Sequence, residues 1–136
     1  MGLLIFLARG GNQLNEFLHL INTNDQPIAE LETAVFGFDR CEAAAYILSL
    51  WKIPPRIIES ILLQRTPNES DYMGVNALTA VHIAASLLKL EIPAEYNRLF
   101  EQNLDLDYVK RINKLEQLSL WEQLAEKVQA QAKSNL

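Results

Sequence analysis

The chain has 136 residues, a formal net charge of −5 and an acidic pI near 5.0. That length gives room for a single core, in one domain or part of one, and a hydrophobic content of 49% excludes wholesale disorder. The acidic balance, with no basic stripe, argues against a generic phosphate-backbone binder, so no nucleic-acid partner is expected.

The opening run Gly2-Leu-Leu-Ile-Phe-Leu-Ala8 is apolar but stops at Arg9-Gly10-Gly11. A membrane span needs roughly 20 apolar residues. A signal peptide needs a basic flank before the run and a small-residue cleavage site after it. Neither is present, so the run reads as a buried core helix and no membrane partner is expected. Gly2 lacks the Ser or Thr further on that N-myristoylation wants.

Every readable segment is helical. Leu14, Phe17, Leu18 and Ile21 share one helix face, and Asn22 to Pro27 is a polar break. Pro27 suits a first helical position; Ile28, Leu31 and Val35 continue one face until Gly37, a C-terminal stop. Asp39, with Glu42 three residues on, predicts a capping box opening a helix that carries Cys41, Ala44, Ala45, Leu48 and Trp51. Trp51 closes that apolar face and reads as core. Pro54 and Pro55 lead into a helix with Ile57, Ile58, Ile61 and Leu62, ended by Thr66-Pro67.

After a polar loop, residues 75–90 form a helix apolar almost all round, the pattern of an element buried on most sides. A short segment follows Pro93. Asp105 caps a short helix with Tyr108, Val109 and Ile112. Ser119 and Glu122 predict a capping box for a last helix bearing Trp121, Leu124 and Val128, with a polar, fraying tail from Gln129. Trp121 is open to an interface role. No alternating strand and no internal repeat is legible. The expected fold is an all-α bundle of about seven helices without a sheet.

Chemistry is sparse. His19 and His82 have no matched carboxylates at a metal-binding spacing, and nothing links Cys41 to either in a nucleophile–base arrangement. The lone Cys41 cannot form an internal disulfide, which fits a reducing cytoplasm. Gly10-Gly11 lacks both a phosphate-loop pattern and a preceding strand. Glu30 and Glu32 fall by spacing on a solvated helix face.

One stretch carries a resemblance. It reads Phe36-Gly-Phe-Asp-Arg40, a helix ending at Leu50-Trp51, Lys-Ile-Pro54-Pro, then a helix ending Gln64-Arg65-Thr-Pro67. This resembles the HDOD domain, the signalling branch of the HD-type metal-dependent phosphohydrolase superfamily, whose frame runs Phe-Gly-x-Asp-His, helix, Trp-x-Leu-Pro, helix, His-His-x-Pro. The scaffold positions Glu32, Phe36, Gly37, Asp39, Trp51, Pro54 and Pro67 are kept. The resemblance implies that Arg40 stands where a histidine would be, Gln64 and Arg65 where the His-His pair would be, and Ala85 where a frequent aspartate would be. The opening run is similar to Gly-Leu-Leu-His-Asp-Ile-Gly, with Ile5 and Phe6 at the His-Asp positions; Ala44 replaces a usual glycine.

HD-type enzymes grip an ion with imidazoles and carboxylates to generate hydroxide near neutral pH. With most of those ligands absent, the resemblance implies a non-catalytic bacterial signalling module acting through protein–protein contacts, with no catalytic residue, metal or cofactor. Two alternatives stand beside it: a phosphohydrolase with atypical ligands, and a nucleotide- or phosphate-sensing module using Arg40 and Arg65. A blander role for those arginines is pairing with Glu42, Glu59 or Glu69. Residues 1–90 are expected to be the C-terminal part of an HDOD-like helical domain, and 91–136 a helical extension packed on it. The earlier helices of that domain are missing from the pattern, so a homodimer or a protein partner is expected to cover the exposed helical faces.

Overall fold

The computed structural model describes residues 2–9, 11–89 and 91–134, with Arg9 and Glu95 described by backbone alone. Among the described residues there are nine α-helices, three short 3₁₀ turns and no strand. Seven of the nine have eight or more residues. The all-α bundle expected from the sequence is the fold observed. No helix of the described chain is long and apolar enough to cross a membrane.

Helices α1 (Gly2–Arg9), α2 (Gly11–Thr23) and α3 (Ile28–Phe36) build the first core. Phe17, Ile21, Ile28 and Leu31 form its buried centre, joined by Leu99 from far along the chain. Phe6 of α1 stacks on Phe36 with ring centroids 4.1 Å apart, and Phe17 meets Phe36 edge-on at 5.4 Å. Such aromatic pairs add about 0.5–1.5 kcal/mol each beyond the area they bury. The opening helix is amphipathic rather than wholly buried: Phe6 is inside, but Leu4 is 65% exposed.

Chain punctuation largely follows local chemistry. Pro27 lies just outside α3, which begins at Ile28. Gly37 ends α3 in the left-handed region at φ 84°, and its N–H donates to the Thr33 carbonyl. Asp39 then caps α4 (Arg40–Leu50), accepting from the N–H groups of Cys41 and Glu42, while Glu42 accepts from the Asp39 N–H to complete the capping box. At the other end Lys52 adopts φ 57°, and the Ile53 N–H reaches back to the Leu48 carbonyl. A non-glycine residue supplies the left-handed step that stops α4 before Pro54.

Helix α5 (Pro55–Leu62) packs between α4 and α6 (Ala77–Leu87). Helix α6 is shorter than the predicted 75–90 span. Asn76 caps it in a box with Thr79, a start that the apolar run obscured, and Leu90 lies outside the described residues. It also shows an exposed side, at Ala80 and Ala84, instead of being buried nearly all round. After α7 (Asn97–Phe100), Asp105 caps α8 (Leu106–Arg111) as expected, accepting from the Tyr108 N–H.

The last helix differs from expectation at both ends. A 3₁₀ turn at Leu115–Gln117 runs straight into α9 (Leu118–Ser134), so Ser119 lies inside the first turn and not at a cap. The tail does not fray at Gln129: its amide donates to the Lys89 carbonyl at 2.9 Å, and Lys133 pairs with Glu91 at 2.5 Å. Those tethers come from residues some 40 positions away, which local pattern does not reveal.

Gly2 sets the closest approach between α1 and α4. A Cβ at that position would sit 1.8 Å from the Arg40 carbonyl oxygen. Gly2→Ala must therefore push α1 away from the start of α4. Urea denaturation is expected to show a loss of about 1–3 kcal/mol, typical of overpacking against backbone. Unchanged stability would mean that α1 shifts freely and does not anchor α4.

Candidate functional site

An open hollow of about 1600 Å³ lies between the α4–α5–α6 layer and the segment running from Lys89 to Gln102. Arg40, Gln64, Arg65 and Ala85, separated by up to 45 positions in sequence, all line it. Ile5 and Phe6 do not. Phe6 is committed to the aromatic cluster with Phe36 and Phe17.

Arg40, at the first turn of α4, is held by Glu32 on α3. The guanidinium Nε donates to Glu32 Oε1, Nη2 lies against the same oxygen in an ion pair, and the Arg40 backbone N–H donates to Oε2 at 3.0 Å. Nη1 donates to the Leu99 carbonyl at 2.6 Å. Glu32 is 0% exposed. The solvated face assigned to Glu32 from spacing is therefore wrong. On α3 it points inward with Leu31, because an opposing guanidinium compensates the buried charge. Glu30 is exposed as expected.

The pairings suggested for the arginines from sequence also change. Glu42 is used by the α4 capping box, Glu59 accepts from the Ser70 hydroxyl at 2.6 Å, and Arg40 takes Glu32. Arg65 makes no ion pair among the described residues. Gln64 turns its amide to the Ile61 carbonyl at 2.9 Å and to the Cys41 sulfur at 3.4 Å. Cys41 is buried, and burial pushes its thiol pKa up. The Asp39 and Glu32 carboxylates push the same way, against Arg65 and Arg40.

His82 is fully buried. Its Nε2 accepts the Asp105 backbone N–H at 3.0 Å, which leaves the proton on Nδ1, and that nitrogen donates to the Gln64 carbonyl at 2.7 Å. Both ring nitrogens are thus used by backbone. The Gln102 amide donates to the same Gln64 carbonyl at 2.8 Å. His19 is exposed.

Trp51 is not core. It is 62% exposed, and Leu50 beside it is equally open. No element among the described residues packs over the last turn of α4, so the apolar face that the sequence shows continues into solvent. Pro54 stands at the N-cap of α5, and Pro67 is buried at the start of a 3₁₀ turn. Trp121 is half-buried.

The described residues form an all-helical fold with this hollow open between its elements. Residues 1–67, about half of the chain, match the family model of the HDOD domain. Neither the curated proteins nor the solved structures contain a significant match to the chain.

The HD relationship implies a metal site, and the residues present do not fit one. Guanidinium groups have no lone pair to donate at physiological pH, and an alanine methyl has none at all. Both nitrogens of His82 are engaged elsewhere. Among the described residues no group of three or more His, Cys, Asp or Glu side chains is placed to hold an ion.

Two predictions follow from this geometry. Arg40→Ala leaves a buried carboxylate uncompensated, so denaturation should show a loss of about 3–5 kcal/mol, whereas Arg40→Met combined with Glu32→Leu should cost much less. A double-mutant cycle measures the difference, and additive losses would refute the pairing. Cys41, buried with a raised pKa, should react with an aromatic disulfide reagent at pH 8 far more slowly than a free thiol and reach full reactivity only on unfolding. Fast labelling of the folded protein would show that the α4–α5 contact opens readily.

Proposed function

We propose that this chain is a non-catalytic signal-transduction module of HDOD type, bacterial and cytoplasmic in setting, that works by presenting helical surfaces to a protein partner or a second copy. The observation that carries the reading is the Glu32–Arg40 pair. Where the family resemblance calls for an ion-binding histidine, this chain has a guanidinium bound to a buried carboxylate and to the Leu99 carbonyl. A fixed organic cation gives the scaffold its internal charge balance and supplies neither a Lewis acid nor a metal-bound hydroxide.

The surface supports the second half of the reading. Tyr46 and Leu50 lie one turn apart on the outer side of α4, with Trp51 next to them, and all three are more than 60% exposed. Aromatic and aliphatic side chains grouped in this way are typical binding anchors. On α9, Leu120, Leu124 and Val128 recur every four residues and are also exposed.

The test has two arms. Hydrolysis of bis-p-nitrophenyl phosphate should stay at background with Mg²⁺, Mn²⁺ or Fe²⁺ added, and a metal-dependent rate would overturn the non-catalytic reading. Sedimentation velocity at micromolar concentration should show self-association, reduced at least tenfold in affinity by Leu50→Glu with Trp51→Glu. A compact monomer unaffected by those changes would remove the homotypic form of the proposal.

A further inference from the structure

One guanidinium lining the hollow has all of its donors free among the described residues. Four cationic side chains, Arg40, Arg65, Lys89 and Arg98, line it. Arg40 is ion-paired with Glu32 and bonded to the Leu99 carbonyl, although its buried Nη2 makes no hydrogen bond. Arg98 is spent on three carbonyls, those of Ile21, Asn24 and Gln26, and so ties α7 to the end of α2. Lys89 is exposed at the rim. Arg65, half-buried in the turn that follows α5, has neither a carboxylate partner nor a side-chain hydrogen bond among the described residues.

The walls around Arg65 are apolar: Leu48 from α4, Ile57 and Ile61 from α5, Val81 and Ala85 from α6. Aliphatic side chains of this kind are ordinarily covered, and Ile57 is 46% exposed here. The volume of about 1600 Å³ exceeds the roughly 300–1,000 Å³ of usual small-molecule sites, so an extended apolar body is accommodated. The Asp25 and Glu101 carboxylates lie on the same lining. They repel a ligand carrying several negative charges.

From this we infer that the hollow binds a small amphiphilic monoanion, with its carboxylate or phosphate head on Arg65 and its alkyl body along the α4–α5–α6 wall. Arg65 is the lining guanidinium whose donors are all free among the described residues, so it can grip one anionic head, while the Asp25 and Glu101 carboxylates on the same lining disfavour further negative charge. That distinguishes the site from a nucleotide clamp, which needed Arg40 as well as Arg65. The inference does not depend on the signalling role, since a module with or without protein partners can hold such a ligand.

Isothermal titration of the full chain with octanoate and with monooctyl phosphate tests it, with 1-octanol, inorganic phosphate and AMP as comparisons. Saturable binding of either octyl anion is expected, at least tenfold tighter than 1-octanol, with inorganic phosphate and AMP weaker still. Which of the two anions binds more tightly identifies the head group. Arg65→Gln should remove most of the advantage over 1-octanol, and Arg65→Lys should restore part of it. Thermal melting confirms that both variants are folded, and Ala85→Phe, which fills the wall from another helix, should weaken both anions. No heat with either octyl anion at millimolar concentration, equal binding of 1-octanol, or AMP binding more tightly than both octyl anions would each overturn the assignment. Hydrolysis of bis-p-nitrophenyl phosphate is unaffected by any of these results, so failure here and failure of the non-catalytic reading are separate.

Discussion

A buried carboxylate needs a cation, and in this chain that requirement organises the centre of the molecule. Glu32 has no access to solvent and is neutralised by Arg40, eight residues later. The pair holds α3 at a fixed angle to α4 across the short turn at Gly37–Asp39. The same guanidinium then reaches Leu99, so one side chain joins three segments. Desolvating two charges is costly, and such a pair is weak evidence for stability compared with an apolar replacement. Its contribution is to make alternative arrangements of these helices expensive, because each would leave a charge buried alone.

The later part of the chain is fastened to the earlier part by the same device of a polar side chain satisfying backbone. Arg98 collects the carbonyls at the end of α2 and the turn after it, groups that a helix terminus leaves without partners. Arg111 does so for Pro67 at 3.1 Å and Ser70 at 2.8 Å, with its guanidinium 5.4 Å from the Tyr108 ring centroid. His82 links the Gln64 carbonyl to the Asp105 N–H, and Tyr108 shares a 2.6 Å hydrogen bond with Thr79. The HDOD match ends at residue 67, yet these contacts continue the packing well beyond it.

Helix boundaries marked by local chemistry were legible from the residues. Gly37, the Asp39–Glu42 box, Pro54 and Asp105 each act within a few positions of themselves, and each does what its residue type dictates. Boundaries held from a distance were not legible. The final helix persists past Gln129 because Lys89 and Glu91 hold it, and Ser119 loses its capping role because a 3₁₀ turn precedes it. The candidate site was half legible. Its members Arg40, Gln64, Arg65 and Ala85 were named from a motif frame, but their partners were not, and Ile5 and Phe6 lie outside the hollow.

The sequence alone determined that the fold is all-α, because the 3.6-residue apolar spacing and the caps are properties of consecutive residues. It also put Arg40, Gln64 and Arg65 where the resemblance implies histidines, because residue identity needs no coordinates. Only the tertiary structure decided that Glu32 faces inward, that Trp51 faces solvent and that Arg65, of the three arginines lining the hollow, has neither an ion pair nor a side-chain hydrogen bond among the described residues. Spacing along one helix gives a face but not the neighbour that covers it, and charge, exposure and freedom to bind are all set by that neighbour.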